Sequence, residues 1–433
     1  MSTSKDRKSL SWARRFLRLG LVLICLLIVG SMLAGMWAER RLTDAEAAVG
    51  FSLEIDELLP LLEDGETNGS FVLGSISNLL SAGAPHPQIQ DWKNVDLAQS
   101  CGDSEKLEDA RRLLEDPTYR LVLETLDLHS NVQRASAWTP GETWEVGVLE
   151  SNYVSRRGQV LKLRTLLRVR ALIRLAEGNV DAAYGDAELL LRVGRWMQTE
   201  SPSLVSWLVG IQVADNGLHL LEEIFQIAPP SESAKARLQA SITALEDIPI
   251  TLGLEGELAR AHQEMRRGLP FLGQKRHRLS RIFLGWFGDA VNAEYLKIGG
   301  RVIAIAEQPP HSRAQPTELT DNLAPWAVPA RIMVPNFYAA MEKADILRLR
   351  LEMAGTALEW PESGQPESGL PTDPFRGESL ILSESDEHQL LYSVGPNGVD
   401  EGGAIEEGTG SDSDADDIVW RLPTQERSVC PPD

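Results

Sequence analysis

The chain is 433 residues long, 43% hydrophobic, and carries 42 basic against 63 acidic side chains, a formal charge of −21 at neutral pH. That acid surplus excludes a general nucleic-acid binder, whose phosphates demand clustered Lys and Arg, and disfavours broad adhesion to anionic lipid. The apolar content supplies a sizeable core, and the length allows two or three domains.

At the N-terminus, Lys5, Arg7, Lys8, Arg14, Arg15 and Arg18 precede an uncharged stretch of 20 residues, 19–38. A helix of that length spans about 30 Å, enough to cross the hydrocarbon core. Basic residues before it and an acidic bulk after it turn the N-terminus toward the cytoplasm. The expectation is a cytoplasmic basic segment at 1–18, a single-pass anchor in the inner (cytoplasmic) membrane at 19–38, and an exported, periplasmic remainder. Cleavage is the competing reading, but Ala45-Glu46-Ala47 lies beyond the charged Glu39, Arg40 and Arg41. A lipoprotein box at Cys25 is opposed by the bulky Ile24. With Cys25 in the span, Cys101 and Cys430 fall on the exported side. An oxidising compartment permits a bridge, and two unrelated thiols are the simpler reading.

From residue 39 to 360 the hydrophobic period is helical and predicts an irregular stack of helical hairpins. Leu161, Leu163, Leu166, Leu167, Val169 and Leu172 recur at three- and four-residue steps, with Lys162, Arg164, Arg168 and Arg170 between them. Glu177-Gly178-Asn179 breaks the pattern and Ala182 to Met197 resumes it, so the two helices must pack antiparallel. The segment 171–186, with small Ala171, Gly178, Ala182 and Ala183, resembles one tetratricopeptide repeat. No second copy stands at the expected period, which rules against a regular solenoid. Further helices are predicted at 203–227 and 231–245, parted by Pro229-Pro230. At 266–287, Arg266, Arg267, Lys275, Arg276, Arg278 and Arg281 mingle with Phe271, Phe283, Trp286 and Phe287. Such a mixture suits a segment that touches lipid headgroups, or a core-facing helix with solvated arginines. A proline-rich stretch, 309–335, reads as an irregular connection before a last helix at 337–358.

No catalytic motif emerges. The seven histidines include no zincin pair, and the chain has no Cys-x-x-Cys, no P-loop Gly-Lys and no Gly-x-Ser-x-Gly elbow. His262 with Glu257 and Glu264 is explained as a solvated polar face of a helix. The expectation is therefore not an enzyme, with a hydrolase built from scattered residues as an alternative, since such sites leave no local trace.

After Trp360 the character changes. A Pro/Gly/Ser/Glu-rich linker leads to short strands at 379–383, 389–394 and 418–422, predicting a small antiparallel β module over 361–433. Asp373-Pro374-Phe375, Leu391-Tyr392-Ser393-Val394-Gly395, Gly402-Gly403 and Ala415-Asp416-Asp417-Ile418 follow one another in an order that resembles the globular end of the major pseudopilin of type II secretion. The layout as a whole resembles uncharacterised bacterial membrane-anchored helical proteins. The resemblance implies a Ca²⁺ held by the loop after the hairpin, with Asn397, Asp400, Asp416 and Asp417 as ligands, and hard oxygen donors on a glycine-rich backbone are what that ion needs. An EF-hand at 412–423 fails, because Asp417 takes the glycine position and Pro423 the glutamate position. A solvated acidic tail is the remaining alternative. The fold expected is thus mainly α, with an N-terminal transmembrane helix, an irregular helical-hairpin domain and a C-terminal antiparallel β module. The function expected is a membrane-anchored interaction or scaffold protein within a secretion- or pilus-like envelope assembly, with other envelope proteins as partners and no nucleic acid. A ligand- or peptide-binding module using a helical groove is the alternative.

Overall fold

The computed structural model describes residues 4–53, 69–82, 89, 92, 95–132, 146–200, 203–267, 278–321, 323–324, 327–360, 369–384, 389–403 and 417–422, with backbone alone at 4–25, 146–158, 160–161, 200, 267, 278–286 and 329. The longer helices are α1 (Ser4–Ala48), α2 (Gly69–Ala82), α3 (Ser104–Leu114), α4 (Pro117–Leu128), α5 (Val146–Ala176), α6 (Val180–Glu200), α7 (Leu204–Ile227), α8 (Glu232–Glu246), α9 (Leu252–Arg267), α10 (Arg278–Ala306) and α11 (Val328–Leu358). Three strands follow: β1 (Ile381–Glu384), β2 (Gln389–Ser393) and β3 (Ile418–Leu422). The chain divides into two compact units, one of residues 1–53, 258–302 and 315–335, the other of 54–257, 303–314 and 336–433.

In the larger unit the predicted hairpin forms as α5 and α6. Its turn is a Schellman cap: Asn179 N–H bonds Arg174 O at 2.7 Å and Gly178 N–H bonds Leu175 O at 3.0 Å. Gly178 sits at φ +72, a conformation open to a residue without Cβ. Sequence-encoded caps start other helices. Asp103 accepts from the N–H groups of Glu105 and Lys106, and Asp116 does the same for Thr118 and Tyr119 ahead of Pro117. Ser231 accepts from Ala234 N–H.

Helices α6 and α7 cross almost backbone to backbone. A Cβ on Gly194 would stand 2.8 Å from Gly210 O, and one on Gly210 would stand 2.6 Å from Gly194 O. This contact brings Trp196, Trp207, Leu190 and Leu218 into the core, each no more than 1% exposed. Among the residues with described side chains, which in α1 begin only at Leu26, α7 is the one helix long and apolar enough to cross a membrane, yet 67% of its apolar window is buried, as for a core helix.

The strands pair antiparallel in the order β1-β2-β3. Leu391 of β2 faces Trp420 of β3, and both are buried. The sheet is tied to α7: Gln226 Nε2 donates to Arg421 O at 2.7 Å, and Arg421 N–H donates to Glu222 Oε1 at 3.0 Å.

In the smaller unit α1 runs without a break through the apolar stretch. Leu26, Leu27, Ile28, Val29, Met32, Leu33, Met36 and Trp37 are all exposed, whereas Ala38 and Leu42 are buried. Just past that stretch, Arg41 lies 5.0 Å from the Trp37 ring centroid and pairs with Glu294 at 2.6 Å.

The mainly helical architecture with a small antiparallel sheet agrees with the sequence reading, and three details differ. Helix α11 begins at Val328 rather than 337. Pro329 falls in its first turn, where no intrahelical donor is needed, and Pro335 lies inside the helix. Cys101 is disulfide-bonded rather than a free thiol. Of the other two cysteines, Cys25 lies in the apolar stretch of α1 and Cys430 outside the described residues. His262 is buried rather than on a solvated face, with Asn292 Oδ1 at 3.3 Å and Glu46 Oε1 at 3.5 Å. Of the basic-aromatic segment 266–287, residues 268–277 lie outside the described residues, and 267 and 278–286 are described in backbone alone.

Candidate functional site

The loop that leaves β2 is shaped by glycine. Gly395, Gly398, Gly402 and Gly403 all have φ between +65 and +77, which L side chains rarely adopt. Ahead of the hairpin, the buried carboxylate of Asp373 fixes the approach. Its Oδ1 accepts from Phe375 N–H at 2.8 Å and its Oδ2 from Val394 N–H at 3.2 Å, so the Asp-Pro-Phe turn clamps the end of β2.

This loop gathers the predicted site residues unevenly. Asp400 Oδ1 accepts from the Tyr392 hydroxyl at 3.1 Å and from Gly402 N–H at 2.9 Å. Asn397 Oδ1 accepts from Val399 N–H at 2.9 Å, while its Nδ2 donates to Glu401 Oε1 at 3.0 Å. Asp417, at the start of β3, returns to the loop, and its Oδ2 accepts from Gly403 N–H at 2.6 Å. Asp416 lies outside the described residues. Sequence reasoning missed Glu401 and Tyr392. Glu401 touches Asn397 and acts electrostatically on Asp417, and Tyr392 holds Asp400. The one available signal was a Glu set directly before Gly402-Gly403.

Asp417 is the chemically unusual member. It is 7% exposed, and its Oδ1 is buried with no hydrogen bond at ordinary geometry. Burial pushes its pKa up to about 6; the Gly403 N–H opposes the rise and the neighbouring Glu401 carboxyl adds to it. Two neighbouring carboxylates repel unless a proton or a cation lies between them. Burial raises the Tyr392 pKa as well, followed by its bond to Asp400. A hard divalent cation needs six to eight oxygens, roughly, and tolerates an irregular cage. The Asp417 and Glu401 carboxyls supply hard oxygens of that kind but fall short of that number; Asp400 Oδ1 is engaged by Tyr392 and Gly402, and Asn397 Oδ1 by Val399. Among the described residues no group of three or more Asp, Glu, His or Cys side chains is gathered tightly enough to hold a metal alone.

Below the sheet lies a second charged cluster. Arg350 donates to Asp215 at 2.8 Å, faces both ring nitrogens of His219, and lies 3.7 Å from Glu222. Burial first, and Arg350 second, lower the His219 pKa to about 4, so its ring is neutral at neutral pH. A third cluster staples the hairpin. Asp186, fully buried on α6, takes Arg170 Nε at 2.7 Å and Arg174 Nη1 at 2.9 Å. Burial outweighs both arginines and lifts the Asp186 pKa to about 6. These clusters are structural in geometry: each charge is met by protein charge.

Compared with protein-family models, curated proteins and solved structures, the chain matches none of them.

Proposed function

We propose that this chain is a single-pass membrane protein whose α1 crosses the inner membrane with its basic end in the cytoplasm. Its exported remainder acts as an interaction scaffold within a secretion- or pilus-like envelope assembly. The observation that carries the reading is the run of eight large apolar side chains exposed on α1 between Leu26 and Trp37. Exposed in water, such a run is unfavourable by about 25 cal/mol per Å² of apolar surface; hydrocarbon removes that cost. Six basic residues precede it, and the Trp37–Arg41 pair stands where a headgroup boundary would fall. The disulfide at Cys101 supports an oxidising compartment for the remainder.

In the same reading the loop after β2 holds Ca²⁺ through Asp417 and Glu401, with Asp400 beside them. When bound, the ion supplies positive charge that offsets two neighbouring carboxylates and stiffens the loop. Asp373 and Tyr392 position that loop from the protein side. A scaffold needs a rigid surface rather than a reaction, and the charge-satisfied clusters of α5–α7 fit that role.

The test is extraction of the full chain from membranes. An integral anchor keeps the protein in the pellet through alkaline carbonate and releases it only with detergent. Release by carbonate or by high salt alone rejects the reading.

A further inference from the structure

A cleft of about 660 Å³ opens against the α5–α6 hairpin and α8, with Arg174, Arg192, Arg195 and Arg237 in its lining. That volume falls in the range of small-molecule sites. The chain as a whole carries 63 acidic against 42 basic side chains. The lining reverses the balance, with four arginines and three carboxylates.

Those carboxylates are already engaged by the protein. Glu188 takes Arg192 on one oxygen at 2.5 Å and Arg237 on the other at 3.1 Å. Asp181 accepts from the N–H and hydroxyl of Ser231, and Asp127 accepts from Arg170. Arg174 is engaged by Asp186 and by Ala182 O, whereas the guanidiniums of Arg192 and Arg237 are less committed. Each offers five N–H donors, and among the described residues Arg237 meets Glu188 through Nε and Arg192 meets it through Nη2. What the cleft has in excess is charged donor capacity in fork geometry, and the complement of that is an oxyanion.

We infer that this cleft binds a small, multiply charged oxyanion, a phosphate ester or a polycarboxylate, held chiefly by Arg192 and Arg237. The inference is independent of the anchor and of the cation loop. It places ligand recognition beside the repeat-like hairpin, in a cleft that carries arginines on its wall.

The experiment is calorimetric titration of the detergent-solubilised full chain with inorganic phosphate, pyrophosphate and citrate in low-chloride buffer. Two variants accompany it. Arg237→Gln removes a half-exposed guanidinium, and Ser241→Trp fills the cleft while keeping every charge. Saturable binding of at least one anion is expected, weakened about tenfold or more by Arg237→Gln, as for loss of one charge-assisted contact, and abolished by Ser241→Trp. Preference for pyrophosphate over citrate identifies a phosphate-type ligand, and the reverse identifies a polycarboxylate. Absence of saturable heat with all three anions overturns the inference. So does binding that both variants leave unchanged, which is non-specific association with surface arginine.

Discussion

The main-chain N–H and the guanidinium Nε of Arg421 converge on one oxygen of Glu222, each at 3.0 Å. Through this contact β3 is fastened to α7 by a carboxylate that is almost wholly buried. Glu222 also lies 3.7 Å from Arg350, so two guanidiniums depend on it. Burial works against a charged Arg421, and the charge of Glu222 more than compensates by raising its pKa. Removing one partner of such a cluster leaves the others as uncompensated charge. Glu222→Ala is therefore expected to destabilise the fold by about 3–5 kcal/mol in urea melts. Arg421→Ala, which removes a more exposed partner, should cost less.

The hairpin staple makes a parallel case. Asp186→Ala removes the buried carboxylate shared by Arg170 and Arg174 and leaves Arg170 to Asp127 alone, again a loss of up to about 3–5 kcal/mol. Chemical denaturation followed by far-ultraviolet circular dichroism measures it. A loss below about 1 kcal/mol, the scale of an exposed pair, would mean that the carboxylate is not buried.

Glycine at the α6–α7 crossing is a steric requirement. Gly210→Ala puts a methyl group 2.6 Å from both Gly194 O and Gln198 Cγ. The backbone oxygen cannot step aside, so a loss of about 1–3 kcal/mol or more is expected. Gly185→Ala, on the same α6 where an added Cβ meets nothing within 4 Å, is the control and should be neutral or stabilising.

Acid titration isolates His219. The unfolded ring takes a proton near 6.5, the folded ring only near about 4, so acidification through that window favours the unfolded chain. Asp186 has the opposite sign: raised from 3.8 to about 6, it binds its proton earlier when folded and adds stability as pH falls through that range. Comparison with His219→Gln separates the two, because Asp186 is common to both proteins. The wild type's melting temperature should fall relative to the variant between about pH 6.5 and about pH 4. A constant difference across that window would place the ring in ordinary solvent.

Cation binding at the sheet loop has its own pH signature. With Asp417 ionised above about pH 6, Ca²⁺ should raise the melting temperature over chelator at pH 7.5 and do so far less at pH 5. Asp417→Asn should abolish the shift. An equal shift in the variant would locate the ion elsewhere.

What the sequence made legible is what local chemistry specifies. The Leu161–Leu172 period, the Gly178 break and the three short strands all act within a few residues, and each formed at or within two residues of where it was expected. Long-range partners left no such trace. Gly194 and Gly210 look like helix-weakening glycines until α6 and α7 are crossed, and Glu222 meets Arg421 across 199 positions. Pro329 read as a loop marker although the first turn of a helix accepts it. At the candidate site the glycines were visible because turn geometry demands them, and Asp417 was singled out only by the resemblance to the pseudopilin module. Glu401 was not, because its role arises only when β3 returns Asp417 beside it.

A scaffold in the envelope must have its body on the outer side of the inner membrane. Protease added to intact spheroplasts of a producing bacterium measures this directly, with an epitope tag fused ahead of Lys5. The expected result is digestion of everything beyond α1 from outside, leaving a small tagged fragment. A chain protected until the spheroplasts are lysed would contradict it.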